Sequence, residues 1–162
     1  MRGAQAGRAS DVEALFRAHW RPAYRAAFLV VHDAAAAEDI AQEAFLAAIR
    51  RLHLFDRRRP FGPWLHRIVV NRAIDWSRAR QARAETGLVE AGAWDDAPDV
   101  SDETVAALAR LTPEHRAVIV LRHLLGYSPG EIAELLDLPR GTVNSRLRRG
   151  LDTLRETVTR ET

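Results

Sequence analysis

The stretch Tyr127–Arg155, YSPGEIAELLDLPRGTVNSRLRRGLDTLR, decides the fold. Ser128 and Glu131 stand three residues apart around Pro129, the pattern of a capping box. A short helix, PGEIAELLD, should follow. The corner Leu138-Pro139-Arg140-Gly141 then breaks the helical period. A final helix runs to about Val158, with Val143, Leu147, Leu151, Leu154 and Val158 as its core stripe. Short helix, tight turn and longer helix form the helix-turn-helix pattern. Ile132 and Ala133 before the turn, and Val143 after it, suit close packing of the two helices.

With Val143 set at 0°, the core stripe spans about 0–80°, and Asn144, Ser145, Arg148 and Arg149 span about 100–240°. Residues 138–150 hold four Arg and no acid. Asn pairs bidentately with adenine, Arg with guanine, and Ser with a phosphate or base edge. Helix-turn-helix geometry also occurs without DNA binding. The acid-free start of the last helix favours DNA.

Upstream, Thr112-Pro113-Glu114 reads as N-cap, Pro at N1 and a first-turn acid, opening a helix to Leu125 that stops at Gly126. Ser101 opens a helix through Leu111. Towards the N-terminus, Ser10-Asp11-Val12-Glu13 predicts a capping box for a helix to about Val31, with Pro22 as a kink or break. Asp33 caps a second helix, Ala34 to Leu52, whose apolar positions are Ile40, Ala44, Phe45, Ala48, Ile49 and Leu52. Its other face carries Glu38, Asp39, Gln42 and Glu43. His53–Pro63 is a loop, and Pro63 sits at N1 of a third helix, Trp64 to about Arg83. Leu65, Ile68, Val69, Ala73 and Trp76 form its buried stripe. Arg67, Asn71 and Arg78 fall on the opposite side, within about 40° of one another. The expected fold is all-α: two small helical domains joined by an acidic linker, with bounds 1–84, 85–100 and 101–162.

Charge follows that division. The chain has 162 residues, with 24 Arg and no Lys, 22 acids and no Cys, for a net charge of +2. Residues 1–84 carry net +7, residues 85–103 net −7 and residues 104–162 net +2. Between Arg50 and Arg83 there are ten Arg and two acids, with Phe55, Phe61, Trp64 and Trp76 interleaved. Basic tracts with aromatics suit single-stranded nucleic acid, where Arg neutralises phosphates and rings stack on bases. The competing reading makes the aromatics core and the Arg a solvated face. It is favoured for Trp76 and Phe55, whereas the loop triplet Arg57-Arg58-Arg59 favours function.

Several classes are set aside. Without Cys there is no disulfide framework, thiolate nucleophile or Cys-ligated zinc. The six His form no HExxH, and no P-loop, GxSxG or GxGxxG occurs, so neither an enzyme nor a metal or cofactor is expected. No run of ~18 apolar residues exists to span a membrane. Met1–Ser10 lacks the apolar stretch of a secretory signal, which leaves the cytoplasm as the expected compartment.

Two blocks together resemble a known family. AEDIAQEAF (37–45), PWLHRIVVN (63–71) and the Arg residues behind it resemble conserved region 2 of the bacterial sigma-70 family. LARLTPEHRAVIVLR (108–122) and the stretch quoted at the outset resemble region 4. Taken together and in that order, the two blocks resemble a sigma factor of the extracytoplasmic-function group. The resemblance implies a protein that binds core RNA polymerase, directs it to promoters and helps open the DNA. It implies that Asp39, Gln42, Glu43 and Phe45 dock on the polymerase clamp helices. The loop 53–63, with Phe55, Arg57, Arg58 and Phe61, together with Trp64, His66, Arg67, Asn71 and Arg78, would capture the melted −10 strand. Arg140, Thr142, Asn144, Ser145, Arg148 and Arg149 would read the duplex −35 element. The acidic linker would thread polymerase channels as a nucleic-acid mimic, with a reach of about 60–70 Å.

Three features depart from the family pattern. Leu138 stands where a capping Ser is common, His66 where Tyr is frequent, and the triple-Arg loop is unusually charged. With the chain ending at Thr162, control is expected from a separate anti-sigma protein and not from a fused domain. The rivals are an autonomous helix-turn-helix regulator, which leaves the basic loop and acidic linker unexplained, and a structural helical adaptor, which needs no acid-free recognition helix.

Overall fold

The computed structural model describes residues 2–5, 7–87 and 99–161, and every element among them is helical. Residues 88–98, the body of the expected linker, lie outside the described residues.

The N-terminal bundle holds α1 (Arg2–Gln5), α2 (Ala9–Val31), α3 (Ala34–Arg50), a 3-10 turn (Leu52–Leu54) and α4 (Phe61–Glu85). Its core is apolar at helical spacing: Phe28, Leu29 and Val30 of α2 meet Leu65, Val69 and Val70 of α4, all essentially inaccessible. Small residues on α3, Ala37, Ala41, Ala44 and Ala48, let the helices approach closely. Asp33 caps α3 as expected, its Oδ1 accepting from Ala36 N at 2.9 Å.

Two expected boundaries are corrected. Ser10 is not the N-cap of α2. Arg8 precedes the first helical residue, with no side-chain cap. The turn through Gly7 (φ 79°), closed by Gly7 N to Ala4 O and Arg8 N to Gly3 O, hands α1 directly to α2. Pro63 is not at N1, because α4 starts two residues earlier, at Phe61, behind Pro60. Pro63 still lies in the first turn, where its missing N–H has no helical partner to lose. Pro22 does not break α2, which runs through it unbroken.

The C-terminal unit holds α5 (Asp102–Ala109), α6 (Pro113–Ile119) continuing as a π-turn (Val120–Leu124), α7 (Pro129–Leu136) and α8 (Arg140–Glu161). Ser101 and Thr112 cap α5 and α6 through their hydroxyls. Gly126 (φ 78°) ends the run, as its position predicts. The π-turn widens the end of α6, with Leu125 N reaching back to Val120 O and Tyr127 N to Leu121 O. Val118, Val120, Leu121, Ile132 and Val143 form the core. Gly150 of α8 faces Ile119, where a Cβ would stand 2.9 Å from Ile119 Cγ1.

The two halves pack directly. α4 lies against α6 and α7, and α2 touches α6. No described helix is long and apolar enough to cross a membrane.

Candidate nucleic-acid and polymerase interfaces

The helix-turn-helix is built by local chemistry. Ser128 Oγ accepts from Glu131 N at 3.2 Å, and Glu131 Oε2 accepts from Ser128 N at 2.8 Å. Asp137 closes α7 in the left-handed region (φ 54°), and Leu138 N bonds Ala133 O. α8 starts behind Pro139, whose ring has no acceptor to cap it. Val143 and Leu147 face inward. Arg140, Asn144, Arg148 and Arg149 are exposed, and Thr142 and Ser145 are half-buried. All six candidate −35 residues are therefore at least partly accessible, with Asn144, Ser145, Arg148 and Arg149 on the side away from the core stripe. Arg146 instead turns back towards Glu114 and His115.

In the bundle, the loop before α4 is organised by aromatics. The Phe55 ring lies 4.9 Å from Trp64 and 5.8 Å from Phe61, and His19 meets Phe61 at 4.9 Å. Phe55 and Phe61 are buried, so they shape the loop from below, while Trp64 is half-buried at its rim. Arg57, Arg58 and Arg59 stand in solvent. Asp56 accepts from the Arg58 backbone at 3.0 Å and its Nε at 3.1 Å, and these two bonds hold its carboxyl below the usual range. Trp76, read as core, is half-buried with the Arg80 guanidinium 5.2 Å above its ring.

The polar side of α4 does not face solvent alone. His66 Nδ1 and the Tyr127 hydroxyl share a hydrogen bond at 2.6 Å. Asn71 Nδ2 donates to Leu135 O at 3.3 Å. Arg78 pairs with Glu114. Partial burial raises the Glu114 carboxyl, but the Arg78 bond and nearby Arg146 outweigh it and hold it below its usual value. Burial, with His19 close by, pushes His66 down to about 4, so the ring is neutral and its Nδ1 can accept. Burial and Glu131 push Tyr127 up to about 12, so its hydroxyl keeps its proton. A cavity of about 680 Å³ opens between Arg59, Trp64 and Arg67 on one wall and Tyr127, Glu131 and Glu134 on the other. Of the candidate −10 residues, Arg57, Arg58 and Arg67 are exposed, while His66, Asn71 and Arg78 are engaged by the C-terminal unit.

On α3, Asp39, Gln42 and Glu43 are exposed, and Glu43 pairs with Arg72 at 3.1 Å. Phe45 is only 3% exposed and packs under Phe16 and Trp20, so it supports that face from within. Sequence reasoning missed the apolar patch beside it. Ile49, read as core, is 38% exposed, and Leu46 (53%) and Phe16 (40%) join it. Periodicity assigns Ile49 inward because it cannot see that no described helix covers that side of α3.

Two family models match in order: sigma-70 region 2 over residues 15–83 and sigma-70 region 4 over residues 101–154. The ECF RNA polymerase sigma factor SigL of Mycobacterium tuberculosis is 34% identical over 96% of this chain and 93% of its own length. The ECF RNA polymerase sigma factor SigW of Bacillus subtilis is 32% identical over 82% and 81%. Among solved structures, CnrH in complex with the cytosolic domain of CnrY superposes with a TM-score of 0.75 at 28% identity, covering 99% of this chain and 96% of that one. RpoE of Bartonella quintana, in complex with the anti-sigma factor NepR, has the same fold, with a TM-score of 0.73 at 22% identity over 92% and 97%. Two matched regions in order, and relatives alike over nearly their whole length, place the chain in the ECF family of RNA polymerase sigma factors.

Proposed function

We propose that this sigma factor delivers core RNA polymerase to promoters by dividing the DNA between its halves. The C-terminal unit, residues 101–162, reads a duplex −35 element with Arg140, Thr142, Asn144, Ser145, Arg148 and Arg149. The bundle, residues 1–84, holds the melted −10 strand with the triple-Arg loop, Trp64, His66, Arg67, Asn71 and Arg78. The observation that carries this reading is the pairing of two unlike nucleic-acid surfaces in one chain. One is a helix face whose side chains suit base edges in a major groove. The other is a basic loop set on aromatic rings, suited to unpaired bases. An autonomous regulator has use for the first only.

The polymerase docks on α3, through exposed Asp39, Gln42 and Glu43 around the Leu46–Ile49–Phe16 patch. An apolar centre with a charged rim is the usual anatomy of a protein interface. The acidic linker, residues 85–100, fits a basic polymerase channel by charge. CnrH was solved in complex with the cytosolic domain of CnrY; a separate anti-sigma protein would likewise bind and control this chain. The chain works in the cytoplasm as a specificity subunit and performs no chemistry itself. Gel shifts of duplex promoter DNA with and without core polymerase test the reading. Specific binding is expected only with polymerase; tight, specific binding by the chain alone would favour the autonomous regulator. Reversing the charges of Asp39 and Glu43 should abolish co-purification with core polymerase. Undiminished co-purification would remove them from the docking surface.

A further inference from the structure

A second cavity, of about 430 Å³, opens where the end of α2, the later turns of α4 and the α5–α6 corner meet. His32, Trp76, Arg80, Arg110, Leu111 and Arg116 are among its lining residues, and no described carboxylate is. Its size is that of a small-molecule site. None of these residues belongs to the DNA or polymerase surfaces. Its charge is uncompensated at one point. Arg116 donates to the carbonyls of Leu108, Ala109, Leu111 and Val30, which take its hydrogens without cancelling its charge. A guanidinium has five N–H hydrogens; these four bonds leave one on Nη1. Burial alone pushes Arg116 down to about 10, with no neighbouring anion to hold it up. A desolvated cation is ordinarily paired. Its field reaches across the cavity: burial and then Arg116 push His32 down to about 4, so that ring is neutral. Arg80 adds a second cation, with Nη1 3.2 Å from Asp33 Oδ2 and its guanidinium 5.2 Å above the Trp76 ring. Asp33 therefore stands alone against the charges of Arg80 and Arg116.

We propose that this cavity binds a small organic oxyanion, a carboxylate or phosphate on an apolar body, with Arg116 and Arg80 meeting the head and Val31, Trp76 and Leu111 covering the body. Arg is suited to the head, since its planar fork matches both carboxylate and phosphate. The anion supplies the missing counter-charge, and the apolar wall sets a minimum size that a bare inorganic ion does not reach. Its binding stabilises the fold that presents the cavity. The site is independent of how the DNA is divided between the two halves.

The test uses the full chain and three probes of one shape: benzoate, phenyl phosphate and neutral benzamide. Binding is followed at pH 7 by the NMR signals of the His32 ring and the Trp76 indole, and by thermal melts. At least one of the two anions should shift both signals with a Kd of about 1 mM or tighter, and raise the melting temperature. The tighter of the two identifies the head group. Benzamide should do neither. Gln81 is exposed and lines the cavity, so its substitutions leave the core intact. Gln81→Glu should weaken the anion about ten-fold by placing a like charge beside it, whereas Gln81→Ala should bind as the wild type does. Far-ultraviolet circular dichroism confirms that both variants fold. Silent His32 and Trp76 signals, benzamide binding as well as the anions, or Gln81→Glu binding undiminished would each overturn the proposal. Binding that appears only after Glu90, Asp95 and Asp96 are changed to their amides would also overturn it, since the chain's own acids would then be the occupants. Promoter-directed transcription is scored separately, and its failure would leave this site standing.

Discussion

Arg116 is the side chain on which the C-terminal unit most depends. Its guanidinium is largely buried and donates to four carbonyls: Nε to Leu108 O at 2.9 Å, Nη2 to Leu111 O at 2.9 Å and Ala109 O at 3.3 Å, and Nη1 to Val30 O at 2.6 Å. Burial pushes it down to about 10, so it keeps its charge at neutral pH and every bond is charge-assisted. Arg116→Met keeps much of the volume and removes all the donors. A buried acceptor left without a partner costs about 1–3 kcal/mol, and some of these carbonyls would find water. Two such bonds lost without replacement cost about 2–5 kcal/mol, a large part of the total for a small domain, where stability is about 5–15 kcal/mol. Arg116→Lys retains the charge but loses the planar fork, so its loss should be about half as large. Urea unfolding by circular dichroism gives the free energies, and hydrogen exchange should place the weakening in α5 and α6. A loss under about 1 kcal/mol for Arg116→Met would refute the reasoning.

Gly150→Ala should destabilise by about 1 kcal/mol, because the Cβ 2.9 Å from Ile119 Cγ1 overpacks the α6–α8 contact by more than helix propensity returns. Gly141→Ala, with nothing within 4 Å of its Cβ, should be neutral or stabilising; equal losses in thermal melts would contradict the contact. The stability of the folded chain should fall on acidification. Burial and nearby His19 hold His66 down to about 4 in the fold, and it returns towards 6.5 on unfolding, so the unfolded chain takes up the proton. Its contribution is therefore present above about pH 6.5 and lost as pH falls towards 4. Thermal melts from pH 7 to 5 that fall equally for wild type and His66→Gln would disprove the coupling. Asn144→Ala should cost about 1–3 kcal/mol at particular −35 sequences, while Arg58→Ala should lower the salt slope of open-complex formation by about one for all promoters. Equal use of every promoter by the Asn144 variant would remove it from base readout.

Much of the fold was legible where a signal is local. Asp33, Ser101, Thr112 and Ser128 each cap a helix with their own side-chain oxygen, as their positions predict. Of the stripe expected on α8, Val143 and Leu147 are buried and Leu151 and Leu154 half-buried, whereas Val158, read as core, is 67% exposed near the end of the helix. Legibility fails where tertiary context decides. Ser10 had the right neighbours for a cap, but the turn at Gly7 started the helix earlier. Pro22 costs one backbone bond, which the packing of α2 on α3 and α4 outweighs. The π-turn at Val120–Leu124 has no composition cue. At the candidate sites, hydrophobic pattern separates inside from outside and no more. Asn71 and Arg78 read as solvent-facing because polar side chains that bond another unit's carbonyl or carboxylate look the same as hydrated ones. Ile49 fails in the opposite sense, as an apolar residue read as core on a face that no described helix covers.

Run-off transcription by purified core polymerase on a library of genomic promoter fragments tests the central claim most directly. With the chain added, a defined subset of fragments should yield transcripts from fixed start sites, and the Asp39/Glu43 charge reversal should silence them. Transcripts unchanged by the chain, or initiated without regard to fragment sequence, would contradict the assignment of its two surfaces to promoter DNA.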